Sequence, residues 1–221
     1  MTRLSAVGSL IAVCLTGAAP ALAQGRHAME GIEIGGVGGL SSFTLAGSGV
    51  TGEHARPTFY AGLALTAPLG RELFIEPQLV YAGQGSNTKY SEGLFGVVDN
   101  SFRLTYLEVP LLIGLRFGNR PQARLYAGPA IAFNINCELT ATPESEPNVT
   151  SATTCQDAGL VMKGVDLGVT GGGAVAFAFG RGTIPLEARY TLGLTTISTI
   201  SSVRNQGLSL GVGYTLPVSQ F

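Results

Sequence analysis

The chain carries little charge and lacks any long apolar run beyond its N-terminus. Charged residues make up 12% of its 221 residues, and a net charge of -1 with no basic tract argues against nucleic-acid binding. No later stretch approaches the roughly 20 continuous apolar residues of a membrane-spanning helix. Yet 45% of the residues are hydrophobic and the mean hydropathy is +0.33, which is high for a soluble protein. The apolar residues must therefore be dispersed among polar ones.

Strict alternation marks the stretch from Tyr106 to Phe117. Every second position from Leu107 onward is apolar, whereas the positions between them include Glu108 and Arg116. Because side chains of a β-strand point alternately to two faces, one face is wholly apolar and the other carries both signs of charge. A soluble sandwich would bury the apolar face in a core, whereas a transmembrane barrel would turn it to lipid and keep a polar interior.

The same alternation predicts eight strands along the chain. They run near residues 31–42, 57–67, 72–84, 102–117, 123–135, 162–179, 183–194 and 207–216.

The connections between these strands are short and long in strict rotation. The short ones are turns rich in Gly and Pro, at 68–71, 118–121 and 180–182. The long ones are polar, at 46–56, 86–101, 136–161 and 195–206. Short periplasmic turns and longer extracellular loops are typical of outer-membrane barrels, and an even strand count places both termini in the periplasm. We therefore predict an all-β fold, an eight-stranded antiparallel up-and-down transmembrane β-barrel, closed because lipid leaves no partner for an open sheet edge.

The N-terminus has the features of a secretory signal peptide. Arg3 precedes an apolar segment at 4–15, and Ala-Leu-Ala at 21–23 forms a small-x-small cleavage pattern. A membrane anchor is the alternative, but the apolar run is short. The predicted division is a signal peptide at 1–23 and an outer-membrane β-barrel domain at 24–221.

Two cysteines remain once Cys14 leaves with the signal peptide. Cys137 and Cys155 lie close together in one polar segment, and a local pair in an exported protein indicates a disulfide. Such a bridge would contribute roughly 3 kcal/mol in the chain-entropy model. A metal pair or a catalytic thiol is the alternative, and the lack of a nearby His weakens both.

Charged residues of both signs are predicted to face the interior of the barrel. With Glu33, they are Glu76, Glu108, Arg116, Arg124, Asp166, Glu187 and Arg189. Unpaired charges would be costly there, so we expect a mutual lumen charge network, with Glu108 beside Arg124. About eight strands leave an interior that side chains can fill. A structural role is favoured over acid–base catalysis by the carboxylates.

Several motifs recur along the predicted strands. The most specific is Tyr-Leu-Glu-Val-Pro-Leu-Leu at 106–112, supported by Glu-Pro-Gln-Leu-Val-Tyr at 76–81, Tyr-Ala-Gly-Pro at 126–129, Leu-Glu-Ala-Arg-Tyr at 186–190 and Leu-Ser-Leu-Gly-Val-Gly-Tyr at 208–214. Together they resemble the bacterial outer-membrane-protein β-barrel domain family, often called porin-family proteins. The resemblance implies a Gram-negative outer membrane, assembly by the outer-membrane insertion machinery, and no catalytic residues. The expected partners are the lipid bilayer with its lipopolysaccharide, and no extracellular ligand can be named.

The two histidines bear on catalysis, because some small outer-membrane barrels are lipid-modifying hydrolases that use a His with a Ser. His27 precedes the first predicted strand and His54 lies in the first long loop, so neither is near a plausible Ser nucleophile. We expect no enzyme activity, no cofactor and no metal. The expected role is structural or surface interaction with at most limited permeation. The alternatives are a narrow channel for small or apolar solutes and, third, a lipid-acting hydrolase.

Overall fold

The computed structural model describes residues 31–47, 53–91, 97–119, 121–145, 149–197 and 202–220. The predicted signal peptide and His27 lie outside these residues. The described chain forms nine β-strands: β1 (Glu33–Gly47), β2 (Glu53–Pro68), β3 (Leu73–Ser91), β4 (Val97–Phe117), β5 (Gln122–Pro143), β6 (Ser151–Thr154), β7 (Val165–Phe179), β8 (Gly182–Gly193) and β9 (Val203–Pro217). A single 3-10 turn, Val218–Gln220, follows β9. Within the described ranges, no helix has the length and apolar character needed to cross a membrane.

Eight of the strands pair in a closed antiparallel ring. Each strand from β1 to β5 pairs with the next, β5 pairs with β7, and the order continues through β8 and β9 back to β1. Closure leaves no unpaired edge among these eight strands, as lipid requires. β6 lies outside the ring and pairs with β5 from Glu138 to Ala141, beyond the point where β7 begins. This is the predicted barrel, with one additional short strand.

Six strands, β1 to β5 and β9, extend further at the long-loop end than their hydrophobic alternation predicts. β3 continues to Ser91 and β4 begins at Val97, so most of the predicted loop at 86–101 is a paired hairpin, with Lys89 opposite Asp99. β5 likewise continues to Pro143. The apolar alternation ends where a strand leaves the lipid, but backbone pairing does not depend on apolar side chains. The extensions therefore escape prediction by hydropathy.

The outward face of the ring is an apolar belt. On β4, Leu107, Val109, Leu111 and Ile113 are exposed, whereas the side chains between them are buried. The other strands follow the same pattern, and Leu63 on β2 remains 60% exposed. A soluble fold would not leave such a continuous apolar surface in water, whereas lipid covers it at no cost.

Candidate functional site

Glu187 stands at the centre of the barrel interior. Its two carboxylate oxygens accept hydrogen bonds from the hydroxyls of Tyr60, at 2.6 Å, and Tyr126, at 2.9 Å. Arg189 lies two residues further along β8 and therefore points to the same side, with its Nε 3.8 Å from Oε1 of Glu187. Its guanidinium also lies 4.0 Å above the Tyr60 ring, a cation–π arrangement. The negative charge of Glu187 is thus compensated by one cation and two phenol donors.

From Arg189 the hydrogen bonds continue across the lumen to β3. Its Nη1 donates to Oε1 of Gln78 at 2.9 Å, and the Gln78 amide donates to Glu76 at 2.7 Å. Thr66 on β2 donates to the second oxygen of Glu76 at 2.6 Å. We call this chain from Thr66 to Tyr126 the central network. It joins strands on opposite sides of the ring and fills the middle of the barrel.

A second cluster surrounds Arg124 near the short turns. Its Nη2 donates to Glu33 at 3.3 Å, and its Nε donates to Gln122 at 2.9 Å. Thr215 on β9 donates to the same Glu33 oxygen at 2.8 Å. The Arg124 guanidinium lies 5.9 Å from the centre of the Phe74 ring. The cluster occupies the part of the interior nearest the short turns, where β1, β5 and β9 contribute side chains.

Two further carboxylates lie between the central network and the long-loop end of the barrel. Glu108 is buried and accepts a hydrogen bond from the Gln84 amide, and Asp166 is buried and accepts one from the Thr195 hydroxyl. Both line a cavity of about 20 Å³, and another of the same volume lies beside Glu187. A space of this size holds about one water molecule.

The structure separates Glu108 from Arg124, its predicted partner, and places Arg116 beside a short turn. Glu108 faces Ala132 on β5, and Arg124 faces Arg116 instead, because hairpin partners are equidistant from their turn. Glu108 and Arg124 are therefore separated by eight positions along the sheet, about 27 Å at strand spacing. Arg116 lies next to the turn, where its guanidinium donates to the backbone carbonyls of Gly70, at 3.1 Å, and Arg71, at 3.3 Å.

The tyrosines and amides of the interior were not predicted as members of the lumen charge network. The alternation does place them on the inward face, which was the sequence feature that could have identified them. They are Tyr60, Gln78, Gln84 and Tyr126. The sequence pattern gave their face but not their partners, because partners across the lumen are not neighbours on adjacent strands.

At the long-loop end, apolar side chains replace the polar interior. Leu104, Tyr106 and Ile197 are buried in one cluster, and the Tyr106 hydroxyl accepts a hydrogen bond from Asn205 at 3.3 Å. Above this cluster lies a recess of about 350 Å³, which we call the vestibule. Its walls are Leu45, Ser86, Thr88, Asn100, Phe102, Leu139, Leu160, Met162, Ile197 and Val203.

The disulfide between Cys137 and Cys155 adjoins this vestibule. Their Cα atoms are 5.5 Å apart, and the two cysteines are 18 positions apart in sequence. The bond ties the end of β6 to β5, and the backbone N–H of Leu160 donates to the carbonyl of Cys155 at 2.8 Å. The disulfide therefore anchors the segment from which Leu160 and Met162 contribute to the wall of the vestibule.

The sequence of the chain identifies the family to which this architecture belongs. A sequence profile described as outer membrane protein beta-barrel domain matches residues 22–199, most of the chain. The chain belongs to this outer membrane protein family. The apolar belt is therefore the lipid-facing surface of a bacterial outer-membrane barrel, and the central network is its interior. β9, which closes the ring, lies beyond the matched residues.

Solved structures with a similar fold include three small outer-membrane proteins. Ail, the attachment invasion locus protein of Yersinia pestis, is 11% identical, with 84% of this chain and 99% of that one covered and a TM-score of 0.44. Neisserial surface protein A is 14% identical, with 83% and 96% covered and a TM-score of 0.43. The outer membrane enzyme PagL is 11% identical, with 85% and 99% covered and a TM-score of 0.41. No curated protein sequence matches the chain.

The outer wall of this outer-membrane barrel carries a charged groove beyond the apolar belt. Lys89 lies 3.3 Å from Glu144 and 3.9 Å from Asp99. Arg56 and Arg103 lie in the same groove, and burial together with the charge of Arg103 lowers the pKa of the Arg56 guanidinium. Exposed ion pairs of this kind contribute little stability.

His54 is exposed near the start of β2. Within the described ranges, no group of three or more His, Cys, Asp or Glu residues is arranged to hold a metal ion.

Proposed function

We propose that the protein is a closed outer-membrane barrel whose role is structural or surface interaction, with at most limited permeation. One observation carries this proposal: the central network crosses the lumen from Thr66 on β2 to Tyr126 on β5. The interior cavities beside Glu108 and Glu187 measure about 20 Å³ each, which is too small for a hydrated solute.

The proposed orientation places the long-loop end outside the cell and the termini in the periplasm. The short turns at 69–72, 118–121 and 180–181 and the longer connections at the opposite end support it, because periplasmic turns are short in this class of barrel. It requires export by the signal peptide at 1–23 and assembly by the outer-membrane insertion machinery. The proposed partners of the outer wall are the lipid bilayer and lipopolysaccharide.

We propose that the interior carboxylates are structural and that the protein is not an enzyme. Glu76, Glu108, Asp166 and Glu187 each accept hydrogen bonds from interior side chains. That arrangement supports a structural role for the carboxylates as hydrogen-bond acceptors inside the barrel rather than proton exchange with a substrate. Mass spectrometry of lipid A from cells that express the protein tests the hydrolase alternative, and an altered acylation pattern would establish it.

A narrow channel for small or apolar solutes is the second candidate, and the vestibule favours it. A solute that entered there would still have to displace the cluster of Leu104, Tyr106 and Ile197 beneath it.

Conductance in planar bilayers separates the closed barrel from the channel. We expect the wild-type protein to remain near the baseline, whereas Arg189→Ala should open brief conducting events, because it breaks the central network at its crossing point. Steady single-channel steps from the wild-type protein would replace the closed-barrel proposal with the channel.

A further inference from the structure

The vestibule has the dimensions and lining of a small-molecule site. Its volume of about 350 Å³ lies within the range of ligand pockets, which are mostly apolar with a few polar groups. Phe102, Leu139 and Met162 supply apolar walls, and none of the described residues that line it is charged. Because an ion would lose its hydration there without gaining a counter-charge, this lining favours a neutral molecule.

A buried polar atom lies in the wall of the vestibule. Ser86 is 1% exposed, and its Oγ has no hydrogen-bond partner among the described residues. A second buried oxygen, Oδ1 of Asn205, also has no hydrogen-bond partner among the residues that the structure describes. Buried hydroxyl and amide oxygens in proteins are nearly always hydrogen-bonded. The Ser86 hydroxyl can both donate and accept a hydrogen bond, so a rotation about its Cα–Cβ bond that turns it into the vestibule would suit a ligand hydroxyl or carbonyl.

The walls are held in place rather than assembled by a ligand. The Cys137–Cys155 disulfide anchors the segment that carries Met162. Ile197 is fixed from both sides, because its N–H donates to the carbonyl of Val203 at 2.9 Å and its carbonyl accepts from Lys163 at 2.9 Å. A preformed pocket of this kind loses little conformational freedom when it is filled.

We propose that the vestibule binds a neutral, mainly apolar small molecule that carries one hydrogen-bonding group, with a medium-chain alcohol as the simplest example. The apolar body packs against Phe102, Leu139 and Met162, and the polar group bonds to Ser86. This inference goes beyond the surface role proposed above. A non-conducting barrel that fails to bind the alcohol would overturn the inference and leave that role intact.

Binding is tested with 1-decanol, decane and decanoate, added to the full-length mature protein in lipid nanodiscs. Methyl NMR signals of Met162 and Ile197 report on the vestibule, while the lipid-facing Ile113 reports on partition into the bilayer. We expect a saturable shift at Met162 and Ile197 with 1-decanol, weaker binding of decanoate, and only a linear change at Ile113. Equal affinity for decanol and decanoate, or no saturable shift, would overturn the proposal.

Two matched substitutions on β9 locate the site. Val203→Trp fills the vestibule and should abolish the saturable shift, whereas Val212→Trp, on the lipid-facing side of the same strand, should retain it. If Val203→Trp does not fold, as judged by heat-modifiable migration, Met162→Trp fills the same space from another part of the wall. Retention of binding in a folded cavity-filling variant would show that the alcohol binds elsewhere.

Ser86→Ala tests the polar contact. Loss of one hydrogen bond should weaken decanol binding about fivefold, while binding of decane, which has no polar group, stays unchanged. An unchanged ratio of the two affinities would exclude Ser86 as the recognition group.

Discussion

The hydroxyl of Tyr60 donates a 2.6 Å hydrogen bond to Glu187 across the interior of the barrel. Tyr60 lies on β2 and Glu187 on β8, and two strands, β1 and β9, separate them in the ring. The bond therefore fixes the distance between strands that do not pair with each other. Since Glu187 also accepts from Tyr126 on β5, one carboxylate holds three parts of the wall together.

Removal of this hydroxyl should destabilise the barrel. Tyr60→Phe keeps the ring beneath Arg189 but leaves one Glu187 oxygen short of a donor, and we expect a loss of about 1.5–3 kcal/mol in the free energy of unfolding. Urea titration in micelles, followed by heat-modifiable gel migration, measures it. The control is Tyr81→Phe on the lipid-facing surface, which should be nearly neutral. Equal effects of the two substitutions would contradict the role assigned to the Tyr60–Glu187 bond.

Gly211 on β9 provides the space that Tyr60 occupies. A Cβ at this position would overlap the Tyr60 hydroxyl, so Gly211→Ala should cost about 1–3 kcal/mol by overpacking. Gly164→Ala is the control, because no atom lies within 4 Å of the added Cβ. Tyr60→Phe should relieve part of the cost in the double variant, which makes the two effects non-additive. Simple additivity in the same unfolding assay would show that the two residues do not compete for space.

Loss of the Glu108 carboxylate should leave the Gln84 amide without its acceptor. Glu108→Ala is expected to lower the temperature at which heat-modified migration appears, because an unsatisfied buried donor costs about 1–3 kcal/mol. Val109→Ala, one residue away on the lipid-facing surface, should be milder because lipid fills the space. A stable Glu108→Ala protein that had lost a measurable conductance would instead indicate a functional lumen.

The disulfide predicts the behaviour of the thiols. Mature protein without Cys14 should show no reactive thiol when folded and two after reduction, since Cys137 and Cys155 are bonded. Reduction should also lower stability by about 3 kcal/mol in the chain-entropy model. A thiol-reactive dye checks the count, and two reactive thiols before reduction would exclude the bond in the isolated protein.

Surface proteolysis tests the orientation. A protease specific for glutamate, added to intact cells, should cut at the exposed Glu144 between β5 and β6 and spare the exposed Glu72 in the short turn between β2 and β3. Because this cut falls inside the loop closed by Cys137 and Cys155, the fragments should separate on a gel only after reduction. Cleavage at Glu72 in intact cells would reverse the proposed topology.

The faces of the strands could be predicted from the sequence, but their partners could not. The alternation from Leu107 to Phe117 distinguishes the lipid-facing residues from the interior ones, since it follows from strand geometry alone. Which charges meet depends on register, and this is why Glu108 lies far from Arg124. A register irregularity near Ile135 adds a further shift, which turns Cys137 toward the interior opposite Leu104. A local irregularity of this kind leaves no trace in the hydropathy pattern.

The hairpin extension of β3 and β4 should tolerate insertions and deletions that change its length. Its rungs, such as Lys89 opposite Asp99, continue the register of the barrel without bearing on its closure. Adding or deleting one residue pair on each strand moves the tip by one rung and keeps every remaining side chain on its own face, whereas a change of a single residue reverses the faces. Variation among related sequences should therefore accumulate here in steps of two, and foreign peptides inserted in such steps should be displayed without loss of assembly.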